Sequence, residues 1–102
     1  MMFNKELIDK ILNGSKTMTS RSKPLCKEGE DTNLMANKDY SKLTGKRIRI
    51  TKVYQKTLSE FTNEDSRKEG FNSLNEFMYY WEENISPWMP STVVWVHEFQ
   101  LI

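Results

Sequence analysis

Between Gly14 and Arg21 the chain runs Gly-Ser-Lys-Thr-Met-Thr-Ser-Arg, which places an amine and a guanidinium among several hydroxyls. Hydroxyls beside an amine are groups that can attack a substrate and pass a proton. A threonine hydroxyl such as that of Thr19 is a poor nucleophile alone. A nearby lysine, here Lys16, activates it only when the amine is partly neutral, and burial against apolar surface lowers a lysine pKa in that direction. Arg21 carries a planar fork that suits a phosphate or a base edge. Glu69 closes the charged run Arg67-Lys68-Glu69 at a predicted helix end, where negative charge is disfavoured. That mismatch singles it out from its neighbours. A close Lys16–Glu69 pair would favour both charged forms and oppose a neutral amine. Trp81, Trp88 and Tyr79 or Tyr80 are of the type that stacks on bases.

The elements that must hold these groups read as follows. Phe3, Leu7, Ile8, Ile11 and Leu12 recur at helical spacing, so Asn4 to Leu12 is an amphipathic helix with Asn4 as N-cap and Phe3 stapled to Ile8. Gly14 closes it. Lys16 to Arg21 reads as a short strand, with Lys16, Met18 and Ser20 on one face and Thr17, Thr19 and Arg21 on the other. Residues 22–45 read as a loop with at most one short strand. Arg47 to Tyr54 is a strand whose alternation breaks at Val53, as a bulge would cause. Thr62 opens a short helix that Gly70 ends. Ser73 and Glu76 form a capping box for a second helix, which Pro87 and Pro90 stop. Thr92 to Ile102 is the strongest strand, central and buried on much of both faces. Trp95 and Phe99 are expected in the core. The order implies a small β-barrel or sheet with helices against it, an α+β chain.

Length and composition narrow the function. The 102 residues are expected to form a single domain, 1–102, with one modest core supplied by 37% hydrophobic residues. A formal net charge of +1 argues against a protein that coats long nucleic acid by bulk charge, and leaves a short strand or a single nucleoside. Cys26 is the only cysteine, so neither an internal disulfide nor a cysteine-based metal site is expected. The chain shows no signal segment and no apolar run near the ~20 residues that span a bilayer, which makes cytoplasmic location the default. No membrane, metal or cofactor is expected, and a monomer is the expectation over an oligomer.

Taken together, Ile11-Leu12-Asn13-Gly14 at a helix end and the Lys16-Thr17-x-Thr19-x-Arg21 that follows resemble the ASCH superfamily. That resemblance implies a PUA-like fold, a small β-barrel with flanking helices. Glu69-Gly70-Phe71 with Ser73-Leu74-Asn75-Glu76-Phe77 resembles the family's second block, and the strand ending His97-Glu98-Phe99-Gln100-Leu101-Ile102 resembles its usual C-terminus. Gly29-Glu30-Asp31 departs from the family by leading into a longer insertion through Asn37-Lys38-Asp39-Tyr40, expected to reshape the pocket rim. One branch of similar size consists of amidohydrolases that deacetylate N(4)-acetylcytidine. Resemblance to it implies Lys16 as proton acceptor, Thr19 as nucleophile and Glu69 as proton donor. Arg21, Ser15 and Thr17 are read as ligand contacts. Other members are thought to bind RNA without known catalysis.

Each residue also has an ordinary reading. Lys16 is then a surface lysine after a turn, Thr19 a strand former, Glu69 a helix-end acid and Arg21 half of an ion pair. His97 reads as a core histidine, Trp88 as a packing residue and Cys26 as inert. The catalytic reading carries a geometric condition. Lys16 and Thr19 are an odd number apart, so they share a site only if the strand starts after Lys16 or is irregular there. Three hypotheses remain: an RNA or modified-nucleoside cleft that hydrolyses an acetyl amide, a non-catalytic RNA-binding module, and an accessory domain acting by protein contact, to which only exposed aromatics point.

Overall fold

The computed structural model describes residues 1–36 and 42–102. The Asn37-Lys38-Asp39-Tyr40 stretch of the expected insertion lies outside the described residues. Among those described, strand β1 is Met2–Phe3, α1 Lys5–Leu12, β2 Met18–Arg21, β3 Asp31–Ala36 and β4 Lys42–Thr57. A 3-10 turn at Leu58–Glu60, α2 at Asn63–Lys68, α3 at Leu74–Asn84 and β5 at Val93–Leu101 follow.

Local chemistry accounts for the helices. The Asn4 side chain accepts the Leu7 N–H at 3.0 Å and starts α1, which buries Leu7, Ile8 and Ile11. Phe3 and Ile8 are both buried, as a staple requires. Leu12, by contrast, is exposed. Thr62 and Asp65 form the reciprocal capping box of α2. At α3, Ser73 accepts the Glu76 N–H at 3.2 Å, and the helix buries Phe77 and Trp81. It ends at Asn84, so Ile85 falls just outside it and is exposed.

The strands form one five-stranded mixed sheet in the order β1-β3-β4-β5-β2. Among the described residues only the β1–β3 pairing is parallel. β4 is far longer than the predicted Arg47–Tyr54. Its first residues pair with β3 and its last with β5, so partners remote in sequence make these polar stretches strand. Its register shifts between Ile50 and Lys52, the bulge that Val53 signalled. β3 is the short strand within the 22–45 stretch.

β5 lies between β4 and β2 and is buried on both faces, by Val94 and Val96 on one and by His97 and Phe99 on the other. Trp95, expected in the core, is only half-buried, and Val93 and Leu101 are exposed. Val93 and Leu101 are the first and last residues of β5. The sheet curls until its two edges meet: Arg21 on β2 donates to the Met2 carbonyl on β1 at 2.9 Å and lies over the Phe3 ring at 4.8 Å. The result is an α+β half-barrel with the helices packed against it. No helix among the described residues is long and apolar enough to cross a membrane.

Candidate functional site

Two helix ends deliver the central pair. After α1, Gly14 adopts φ +86°, its N–H reaches the Ile11 carbonyl, and the Ser15 N–H reaches that of Lys10. After α2, Gly70 adopts φ +103°, its N–H reaches Arg67 and the Phe71 N–H reaches Ser66. Both are Schellman closures, which satisfy the last carbonyls and reverse the chain. The first launches Lys16. The second sets Glu69, the C-cap of α2, directly over it. The approach is tight: a Cβ on Gly70 would lie 3.3 Å from Lys16 Cβ and 3.1 Å from Lys10 Cδ. A bond of 2.8 Å from the Thr17 N–H to the Lys68 carbonyl ties the two turns together.

Lys16 is 2% exposed and Glu69 is 3% exposed. Lys16 Nζ donates to the Met18 carbonyl at 2.7 Å, the Glu69 carbonyl at 3.0 Å and Glu69 Oε1 at 3.2 Å. Burial pushes the Lys16 pKa below the usual lysine value, and the Glu69 carboxylate opposes this without cancelling it. Three acceptors nonetheless use all three N–H bonds of an ammonium, so the charged form is fully paired here. The second carboxylate oxygen, Oε2, accepts a hydrogen bond from Ser20 Oγ at 2.5 Å. Such a short O–H···O contact is typical of a charge-assisted bond. Glu69 is thus held by an ammonium on one oxygen and a hydroxyl on the other.

The expected residues divide. Lys16, Thr19, Arg21 and Glu69 all line one cavity of about 560 Å³, together with Ser20, Tyr80 and Trp81. Thr19 is 5% exposed, and its Oγ1 accepts from Arg21 Nε at a long 3.4 Å. Arg21 lies mostly inside the seam between the sheet edges, and burial lowers its pKa despite the pull of Glu69. Ser15 and Thr17 are exposed and do not line this cavity. Ser15 instead stays at the helix end, its hydroxyl on the Lys10 carbonyl. Among the aromatics, Tyr80 and Trp81 reach the cavity, whereas Tyr79 is 68% exposed and Trp88 packs edge-on against Phe77 and Trp81. Tyr80 accepts from Asn4 Nδ2, and burial raises its phenol pKa. His97 is fully buried and accepts the Leu25 N–H through Nε2 at 3.2 Å, which anchors the loop after β2.

Ser20 is the residue that motif reasoning passed over. The signal for it was the alternation itself, which already set Ser20 on the face of Lys16 and Met18. β2 begins at Met18, after Lys16, so the irregularity that the catalytic reading requires is present. Yet Lys16 and Ser20, an even number apart, are the two residues that meet on Glu69.

The family model for the ASCH domain matches residues 1–102. The chain belongs to the ASCH domain family. Solved structures similar to this ASCH chain agree on the fold. A protein of Enterococcus faecalis V583 is 18% identical with a TM-score of 0.70, over 95% of this chain and 67% of that one. An ASCH domain from Lactobacillus crispatus JV V101 is 18% identical with a TM-score of 0.68, over 94% and 70%. A mutant ASCH protein from Zymomonas mobilis is 14% identical with a TM-score of 0.65, over 100% and 68%. No curated protein matches the chain significantly. The half-barrel with flanking helices is thus the PUA-like ASCH architecture.

Proposed function

We propose that this ASCH domain holds an RNA-type nucleoside in the cavity between the sheet edges and α3, and hydrolyses the acetyl amide of N(4)-acetylcytidine. The observation that carries this reading is the buried Lys16–Glu69–Ser20 cluster on the cavity wall. Burying an ammonium, a carboxylate and a hydroxyl is costly, and here Lys16 and Ser20 each pair with Glu69, which holds all three at the cavity wall. They are the group types that amide hydrolysis needs. The cavity's size falls in the range of small-molecule sites, and Tyr80 and Trp81 supply the aromatic surface that suits a base. A net charge of +1 fits a nucleoside or short strand better than long RNA. The family resemblance supplies the acetylated base and the participation of Lys16, Thr19 and Glu69.

Incubating the pure protein with N(4)-acetylcytidine and separating the products is the test. Cytidine and acetate are expected, with turnover cut at least about 100-fold in Glu69→Gln, the ordinary scale of a lost acid–base group. No turnover overturns the enzyme reading. Saturable, salt-sensitive binding of RNA without turnover would instead establish the non-catalytic module.

A further inference from the structure

Resting on the amidohydrolase reading, we propose that Ser20, rather than Thr19, is the nucleophile, with Glu69 as its proton acceptor and Lys16 as the fixed cation that holds Glu69. Sheet register is the first ground. β2 runs antiparallel to β5, pairing Ser20 with Val96 and Thr19 with His97. Directly paired residues project to the same face and successive residues to opposite faces. Ser20 therefore lies on the face shared with Met18 and Val96, and Thr19 on the other face with His97.

Contact geometry is the second ground. Ser20 Oγ is 2.5 Å from Glu69 Oε2, the reach a base needs for the proton it removes. Glu69 is in turn oriented through Oε1 by Lys16 at 3.2 Å. Nucleophile, base and orienting group in series are the general signature of an activated hydroxyl. Among the described residues Thr19 Oγ1 has only the 3.4 Å contact from Arg21 Nε, a donor that cannot take a proton. Lys16 is bonded to three acceptors and has no free lone pair with which to serve Thr19. Ser20, Thr19 and Glu69 all line the cavity, so it is the contact with the carboxylate, not access, that separates the two hydroxyls.

The step balances with water as the only co-reactant. Ser20 Oγ bonds to the acetyl carbon as its proton passes to Glu69 Oε2. The carbon–nitrogen bond breaks, and that proton moves to the departing amine, releasing cytidine and leaving an acetyl ester on Ser20. Water then attacks the ester, giving its proton to Glu69. The ester bond breaks, the proton returns to Ser20 Oγ, and acetic acid leaves, giving its remaining proton to solvent to become acetate. Lys16 stays protonated throughout.

Two measurements on the full chain test this. The native protein is mixed with N(4)-acetylcytidine, quenched in acid during turnover and mapped by peptide mass spectrometry. Ser20→Ala is assayed for turnover, with its melting transition as the folding control. The expected results are an acetyl group on Ser20 and at least about a 100-fold loss of turnover in a folded Ser20→Ala protein. An acetyl group on Thr19, no acetyl group on either residue, or native-like turnover in folded Ser20→Ala overturns the assignment while leaving the amidohydrolase reading in place. Should Ser20→Ala fail to fold, the mapping alone decides. A native protein without any turnover fails at the earlier reading, and this one falls with it.

Discussion

The buried Lys16–Glu69 pair makes opposite demands on stability and on chemistry. Each charge is tolerated because the other is 3.2 Å away. Removing one partner strands the other, at a typical cost of ~3–5 kcal/mol, whereas replacing both with apolar groups of similar volume is often neutral. Lys16→Met and Glu69→Leu are therefore each expected to be strongly destabilising in urea melts, and the double variant to recover at least half of the loss. Simple addition of the two losses would show that the pair is not coupled. A second pair governs acid stability. Burial raises the Asp65 pKa, but the Lys56 ammonium at 2.7 Å and the Thr62 N–H and hydroxyl more than offset it, leaving the pKa below its usual value. A carboxylate with a lowered folded pKa contributes stability above its unfolded pKa, about 3.9, and loses it as pH falls through the folded value. Melting temperature should consequently drop below about pH 4, and Asp65→Asn should flatten that part of the profile while lowering stability at pH 7.

At the scale of elements, the two Schellman closures are distinguishable by what surrounds them. Gly14 has open space where a Cβ would go, so Gly14→Ala bears only the backbone cost of a positive φ, roughly 1–2 kcal/mol. Gly70→Ala bears that cost and also crowds Lys10 Cδ at 3.1 Å and Lys16 Cβ at 3.3 Å. It is expected to lose more stability than Gly14→Ala, and to disturb the Glu69 carboxylate as well. Equal melting temperatures for the two variants would refute the close-approach role of Gly70. These closures were legible because caps and glycines act through neighbours a few residues away. The length of β4 was not. Its polar ends become strand only by pairing with Asp31–Ala36 and with Val93–Val96, and no local pattern announces that.

For the whole molecule, Arg21 turns out to be a seam residue. It bridges β2 to β1 across the open side of the half-barrel, through the Met2 carbonyl and the Phe3 ring. The sequence reading weighed a ligand contact against a structural ion pair. Among the described residues Arg21 forms no ion pair; it touches a carbonyl, an aromatic face and the Thr19 hydroxyl, and it lines the cavity. Arg21→Ala is expected to raise amide hydrogen exchange at Phe3 and along β3 more than in the β4–β5 pair, where sheet pairing is continuous. Uniform change across all strands would argue against a seam.

By itself the sequence determined the helices, their caps, the bulge in β4 and the segment that carries the amine and hydroxyls, because helical period, capping and turn chemistry are written in near neighbours. It also named Lys16 and Glu69 through family resemblance, although they stand 53 positions apart. Tertiary structure decided how the segment is used. Pairing with β5 placed Ser20 and Thr19 on opposite faces, the turn at Gly70 set the carboxylate against Ser20, and the curl of the sheet drew Arg21 to the far edge. The physical reason is that a side chain's partner depends on strand register and sheet curvature, and both are set by residues far away in the chain.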